Sequence, residues 1–168
     1  MTPVDPDAVI AVERAIWTRS APIYAEHTAQ LTSHAVRDLL DAAHLASDSR
    51  ALEIGCGPGH ITAMLAATGA TVTGVDLVPA MIETARSLHP DIAFVEANAE
   101  QLPFADDAFD VVLANFVIHH VARPDVVSAE IRRVLKPGGR FVFAGPTGEF
   151  GGFETFIEGL TTHHTLEE

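Results

Sequence analysis

Arg50-Ala51-Leu52-Glu53-Ile54-Gly55-Cys56-Gly57-Pro58-Gly59-His60 is the stretch from which the rest of this chain can be read. Residues 50–54 suit a short buried strand, and His60-Ile61-Thr62-Ala63-Met64-Leu65 opens a helix. Between them, glycines stand at alternate positions. Glycine accepts φ > 0 without a Cβ clash and lets the backbone approach a ligand closely. The amides of such a turn, and of the helix start behind it, face the C-terminal end of the strand, where open α/β sheets bind their ligands. The stretch therefore predicts a nucleotide-type pocket. Its spacing, Gly55-x-Gly57-x-Gly59, is not the G-x-G-x-x-G of dinucleotide binders, whose third glycine would fall at His60.

Outward from the turn, the chain alternates strand and helix. Gly69 is a stop for the helix that begins at His60. Ala70-Thr71-Val72-Thr73-Gly74-Val75-Asp76 is a β-branched strand, and Asp76 closes it 17 residues after Gly59. A carboxylate there can accept bonds from both hydroxyls of a ribose, and it can also cap the helix that starts near Val78-Pro79. Helix 79–88 carries Met81, a core residue one turn in that is also within reach of an adenine. Residues 92–97 form a third strand. Val111-Val112-Leu113-Ala114, without polar alternation, reads as a strand buried on both faces, and it delivers Asn115-Phe116-Val117-Ile118-His119-His120 to its C-terminal end. Residues 124–135 form a helix with proline near its start. Lys136-Pro137-Gly138-Gly139 ends that helix, and Arg140–Ala144 is a fifth strand. This βαβα order predicts a doubly wound, mostly parallel α/β sheet.

Ahead of the turn, residues 7–17 place Val9, Ile10, Val12, Ile16 and Trp17 mostly at helical spacing, with Asp7 as N-cap. Pro22 is expected to break that helix, and residues 31–45 form a second, amphipathic one. The reading divides the chain into a helical cap or lid over 1–46, an α/β core over 47–146 and a loose segment over 147–168.

The 168 residues carry 10 Lys and Arg against 23 Asp and Glu, a formal charge of −13 with Lys136 the sole lysine. Such a surface disfavours nucleic acid and anionic membranes as partners. No apolar run reaches membrane-spanning length and no signal peptide opens the chain, so a cytoplasmic protein acting on small molecules is expected. The single cysteine, Cys56, excludes an intramolecular disulfide. Inside the turn it reads either as a small residue or as a nucleophile without an adjacent base. The adjacent pairs His119-His120 and His163-His164 lack the i, i+4 spacing of a helical metal site, so no metal is expected.

With Glu53 ahead of it, the run Glu53-x-Gly55-x-Gly57-x-Gly59 resembles motif I of the class I S-adenosylmethionine (SAM)-dependent methyltransferases. Asn98-Ala99-Glu100-Gln101-Leu102-Pro103-Phe104-Ala105-Asp106-Asp107-Ala108-Phe109-Asp110 resembles the D-A-x-x-L-P-F-x-D-x-x-F-D segment of the same family. Arg133-x-Leu135-Lys136-Pro137-Gly138-Gly139-x-Phe141 is similar to the family's turn after a helix. The branch implied includes the ubiquinone and menaquinone biosynthesis methyltransferases and many small-molecule enzymes.

The resemblance implies SAM as cofactor, S-adenosylhomocysteine (SAH) as product and an O, N, S or C nucleophile on a small molecule as acceptor. It implies that Glu53, Gly55, Cys56, Gly57 and Gly59 hold the methionine half of SAM. Asp76, with Leu77 beside it, takes the ribose. Asn98 and Ala99 frame the adenine, Met81 and Glu100 also belong to the cofactor-binding set, and Asn115, Phe116 and His119 face the sulfonium and the acceptor. Asn98 departs from the family's aspartate, so its amide carbonyl would accept the adenine amino bond at neutral strength. His119 and His120 are candidates either for a general base or for the floor of the site. Tyr24 is a candidate substrate or lid residue, or a ring packing a helix corner. The family usually adds two strands in an antiparallel hairpin, which this sequence lacks, as a shortened chain would; an open sheet edge leaves a homodimer possible. Two other readings stay open: a SAM-binding protein without turnover, and a nicotinamide-dependent oxidoreductase.

Overall fold

A computed structural model describes residues 5–24 and 36–145. Among them β1 (Arg50–Ile54), β2 (Thr71–Asp76), β3 (Ala93–Glu96), β4 (Phe109–Asn115) and β5 (Leu135–Ala144) form one sheet in the order β3-β2-β1-β4-β5. Every neighbouring pair is parallel. The order reverses direction between β1 and β4. A crevice opens there beyond the strands' C-terminal ends, because the flanking connections leave in opposite directions.

Two helices precede the sheet, α1 (Pro6–Ile23) and α2 (Val36–Ala43). Helices α3 (His60–Ala66) and α4 (Pro79–Leu88) follow β1 and β2, and α5 (Pro124–Val134) links β4 to β5 after a 3-10 turn at Ile118–His120. Strand alternation sorts the core into two layers. Leu52, Ile54, Val112 and Ala114 pack on one face with Val127, Ile131 and Val134 of α5. Ala51, Val111 and Leu113 pack on the other with Val36, Leu39 and Ala43 of α2 and Ile61 and Leu65 of α3. Helix α1 lies across the start of α4, where Ala21, Trp17 and Tyr24 meet Val78 and Met81.

Four local expectations are corrected. The N-cap of α1 is Asp5, not Asp7: its side chain accepts from the Asp7 amide at 3.0 Å, and Pro6 fills the first helical position. Pro22 does not end α1, which continues to Ile23. It falls in the last turn, where one missing N–H leaves the upstream ladder intact. Val12 and Ile16 point outward, 56% and 41% exposed, because α1 presents its Glu13 and Trp17 face to the protein. Finally, β5 begins at Leu135, directly after α5. Phe109 pairs with Leu135 and Val111 with Arg140, so Lys136–Gly139 bulge out of the ladder opposite Asp110. Helix α2 is described only over Val36–Ala43, and His163, His164 and the segment 147–168 lie outside the described residues. No described helix is long and apolar enough to cross a membrane.

Candidate functional site

The glycine turn forms because the chain must leave β1 and enter α3 within a few residues. Gly55, Gly57 and Gly59 all adopt positive φ, at 67°, 52° and 84°. A Cβ on Gly55 would lie 2.2 Å from Val117 Cγ2, and one on Gly59 would lie 2.7 Å from the tip of Phe94. The turn is thus bare for two reasons, backbone conformation and close packing. It is also tied to β2: Cys56 N–H donates to Val75 O at 2.9 Å and Gly57 N–H to Asp76 Oδ2 at 2.8 Å.

Above the turn lies a cavity partly open to solvent, at the sheet's switch point. The ends of the strands supply its floor: Gly55 and Gly57 after β1, Asp76 and Leu77 at β2, Asn98, Ala99 and Glu100 after β3, Asn115 and Phe116 at β4. Met81, Tyr24 and His120 complete the set of expected residues that the fold brings together there. Phe116 holds a left-handed φ of 55°, and its N–H donates to Ala144 O at 2.7 Å, so β5 fixes this unfavourable conformation at the cavity wall.

Four expected residues stand off the wall. Glu53 is 1% exposed and faces α3, where Thr62 Oγ1 donates to its carboxyl. Burial pushes its pKa up to about 8, opposed by the Thr62 bond and assisted by the charge of Asp76. Cys56 is buried against Ile82, Ala85 and Phe94, and burial drives its thiol pKa well above the ordinary value. Gly59 shapes the turn from behind. His119 lies beside His120, ring centroids 4.1 Å apart and planes tilted by 43°, outside the wall; burial, then the neighbouring His120, lowers its pKa.

On the wall, several polar groups are already partly engaged. Asp76 Oδ1 accepts from Val78 N–H at 2.9 Å, alongside the Gly57 bond, while burial raises its pKa against these donors. Asn98 Oδ1 accepts from Glu100 N–H at 3.0 Å. Glu100 takes the Arg123 backbone at 3.1 Å and its guanidinium at 2.7 Å, and the same guanidinium pairs with Asp7 at the start of α1.

Sequence reading places α1 in a cap or lid but names none of its side chains for the site. Ile10, Glu13 and Trp17 line the cavity, with Val117, Val121 and Ala122 from the turn after β4. Glu13 Oε2 accepts from Trp17 Nε1–H at 3.0 Å and lies 3.2 Å from His120 Nδ1. Trp17 stands edge-on to His120 and to Tyr24 at 5.3 and 5.4 Å. The i, i+4 spacing of Glu13 and the chain's one tryptophan was the available signal for a shared face. Its meeting with His120 depends on tertiary packing.

Among the described residues, Glu13, Asp76 and Glu100 are the carboxyl-bearing side chains of the wall, and no lysine or arginine lines it. This favours a ligand carrying positive charge and disfavours a pyrophosphate. Among the described residues, no cluster of three or more His, Cys, Asp or Glu could hold a metal ion.

The methyltransferase-domain family matches residues 52–143. A demethylmenaquinone methyltransferase of Renibacterium salmoninarum is 36% identical over 71% of this chain and 51% of its own length. The biotin biosynthesis bifunctional protein BioHC of Cellvibrio japonicus is 44% identical over 55% of this chain and 18% of its own. The chain therefore spans about half or less of these relatives. Among solved structures, a TehB-like SAM-dependent methyltransferase from Corynebacterium glutamicum superposes with a TM-score of 0.72 at 25% identity, over 84% of this chain and 81% of that one. Sequence motifs, sheet order and the placement of the glycine turn agree, and this chain belongs to the methyltransferase-domain family.

Proposed function

We propose that this protein transfers a methyl group from SAM to a small-molecule acceptor bound under α1. The observation that carries the reading is the cavity at the β1/β4 switch point, with a bare glycine turn on one side and walls that, among the described residues, bear carboxyl groups and no lysine or arginine. These residues fit SAM, whose sulfonium and ammonium are cationic and whose adenosine carries two ribose hydroxyls. A carboxylate offers about four acceptor sites, and the amides of Gly57 and Val78 occupy two of those of Asp76, which leaves sites for a ribose. The Asn98 amide and Ala99 frame the adenine, and the backbone of Gly55 and Gly57 admits the methionine half.

When bound, SAM supplies an electrophilic methyl on a sulfonium, so the protein's share is alignment and exclusion of water. Trp17, Val117, Val121 and Ile10 give the acceptor side apolar walls. His120 sits on that wall and accepts the proton that the acceptor gives up. The relative named demethylmenaquinone methyltransferase supports an acceptor of small-molecule size.

Calorimetry with SAH and NAD tests the cofactor, and a single-turnover assay with methyl-labelled SAM over an acceptor panel tests transfer. SAH should bind and NAD should not; NAD binding without SAH binding would overturn the proposal.

A further inference from the structure

We propose that Glu13 is a positioning residue for His120, holding its imidazole as a general base for an acceptor that carries an O–H or N–H proton. This rests on the methyl-transfer reading above. The geometry comes from two elements distant in sequence. Glu13 projects from α1 and His120 from the 3-10 turn after β4, and their Nδ1–Oε2 separation is 3.2 Å. The same oxygen accepts from Trp17 Nε1–H at 3.0 Å, which fixes the carboxylate's direction. Trp17 in turn stands perpendicular to the His120 ring, with centroids 5.3 Å apart. Carboxylate, indole and imidazole thus hold one another, and all three side chains line the cavity.

A carboxylate at Nδ1 selects the Nδ1–H tautomer and leaves Nε2 as the ring's proton acceptor. It also favours the imidazolium that forms once a proton is taken. In the step, the acceptor's O–H or N–H bond breaks and the proton moves to Nε2. The electron pair stays on oxygen or nitrogen, where it forms the bond to the methyl carbon as the carbon–sulfur pair leaves with sulfur. The imidazolium then returns its proton to solvent. An acceptor with a bare lone pair, such as a thioether, has no use for this pair of residues.

Other charged groups around His120 do not substitute for Glu13. His119, on the same turn, is itself driven toward its neutral form by burial and by the neighbouring His120. Glu100 is committed to Arg123, and Asp76 to the amides of Gly57 and Val78. Among the described residues, Glu13 is the carboxylate that meets His120.

The test needs no acceptor. Long-range 1H–15N NMR on the cofactor-free protein reads the tautomer of His120, assigned by its loss in His120→Gln. Glu13→Gln keeps size and helix propensity while removing the charge, and circular dichroism checks its fold. The Nδ1–H tautomer should dominate in the parent, and Glu13→Gln should shift the ring toward a mixture of tautomers. Glu13→Asp should restore part of the Nδ1–H population. An unchanged tautomer in a folded Glu13→Gln variant would overturn the proposal. Calorimetry with SAH on the parent separates the two readings. If SAH fails to bind while the NMR shift persists, the methyl-transfer reading falls and takes the catalytic use of the pair with it. If SAH binds and the shift is absent, only the role of Glu13 falls. Where an acceptor turns over, Glu13→Gln should cut kcat by roughly 10- to 100-fold with little change in KM for SAM.

Discussion

Asp76 joins two backbone turns with one carboxylate: Oδ2 takes Gly57 N–H at 2.8 Å and Oδ1 takes Val78 N–H at 2.9 Å. The cap-like reading and the ribose reading of this residue are compatible, because the two amides leave acceptor sites on a carboxyl group that lines the cavity. Asp76→Ala should weaken SAH binding by about 1.5–3 kcal/mol, one charge-assisted bond, in calorimetry. Unchanged affinity would remove Asp76 from the cofactor's contacts. Glu53 makes a different prediction. Its folded-state pKa of about 8 lies above its ordinary 4.5. Between these values the folded state keeps a proton that the unfolded state has lost, so stability falls as pH rises from 4.5 to 8. Full titration corresponds to roughly 3–5 kcal/mol. Glu53→Gln should flatten the decline of Tm over that range; a decline of undiminished slope would assign it to other groups. Cys56, buried and with its thiol pKa raised, should resist thiol reagents in the native protein and react only on unfolding. The glycine run revealed where these residues sit, since the turn's spacing is local. Which way Glu53 faces was not legible, because strand alternation directs it toward Thr62 on α3, and that partner is known only once the helix is docked.

At the scale of elements, the loop between β3 and β4 is held from outside by α5. Arg133 donates to the carbonyls of Phe104 and Leu102 at 2.7 and 3.0 Å and to both oxygens of Glu130, while Glu130 accepts from Leu102 N–H at 2.7 Å. The long segment Asn98–Asp110 and the arginine of the later motif, separate in sequence, are therefore one structural unit. Arg133→Ala leaves two carbonyls unpaired and should destabilise the protein by about 2–3 kcal/mol in urea unfolding. A loss below ~0.5 kcal/mol would mean that water replaces those bonds fully. The glycine turn should tolerate change less well: a Gly55→Ala methyl meets Val117 Cγ2 at 2.2 Å on a backbone with φ of 67°. Pairing it with Val117→Ala should recover only the steric part of the loss in Tm. The strands and α4 and α5 were legible because apolar periodicity and proline or glycine stops are local signals. The bulge at Lys136–Gly139 and the passage of α1 through Pro22 were not, since pairing with β4 decides the first and packing against α4 the second.

For the molecule as a whole, α1 is tied down by charged side chains rather than by a broad apolar face. Arg123 bridges Asp7 and Glu100, and Arg14 meets Glu96 at 3.4 Å. Exposed pairs of this kind weaken in salt. Amide exchange over residues 6–23 should therefore quicken with ionic strength more than exchange over β1 and β4, as hydrogen-exchange mass spectrometry can read. Equal salt response would mean that Ala21 and Trp17 alone anchor the helix. The wall residues proposed for the cofactor could be named from ordered motifs along the chain. The Glu13–His120 contact on the proposed acceptor side could not, because the two meet across 107 positions through packing that no local pattern encodes. The most direct test of the central claim is a crystal structure grown with saturating SAH. The ligand should lie across the ends of β1 and β2, its ribose on Asp76 and its adenine beside Asn98 and Ala99. A cavity empty of SAH, or SAH bound elsewhere on the protein, would contradict the account.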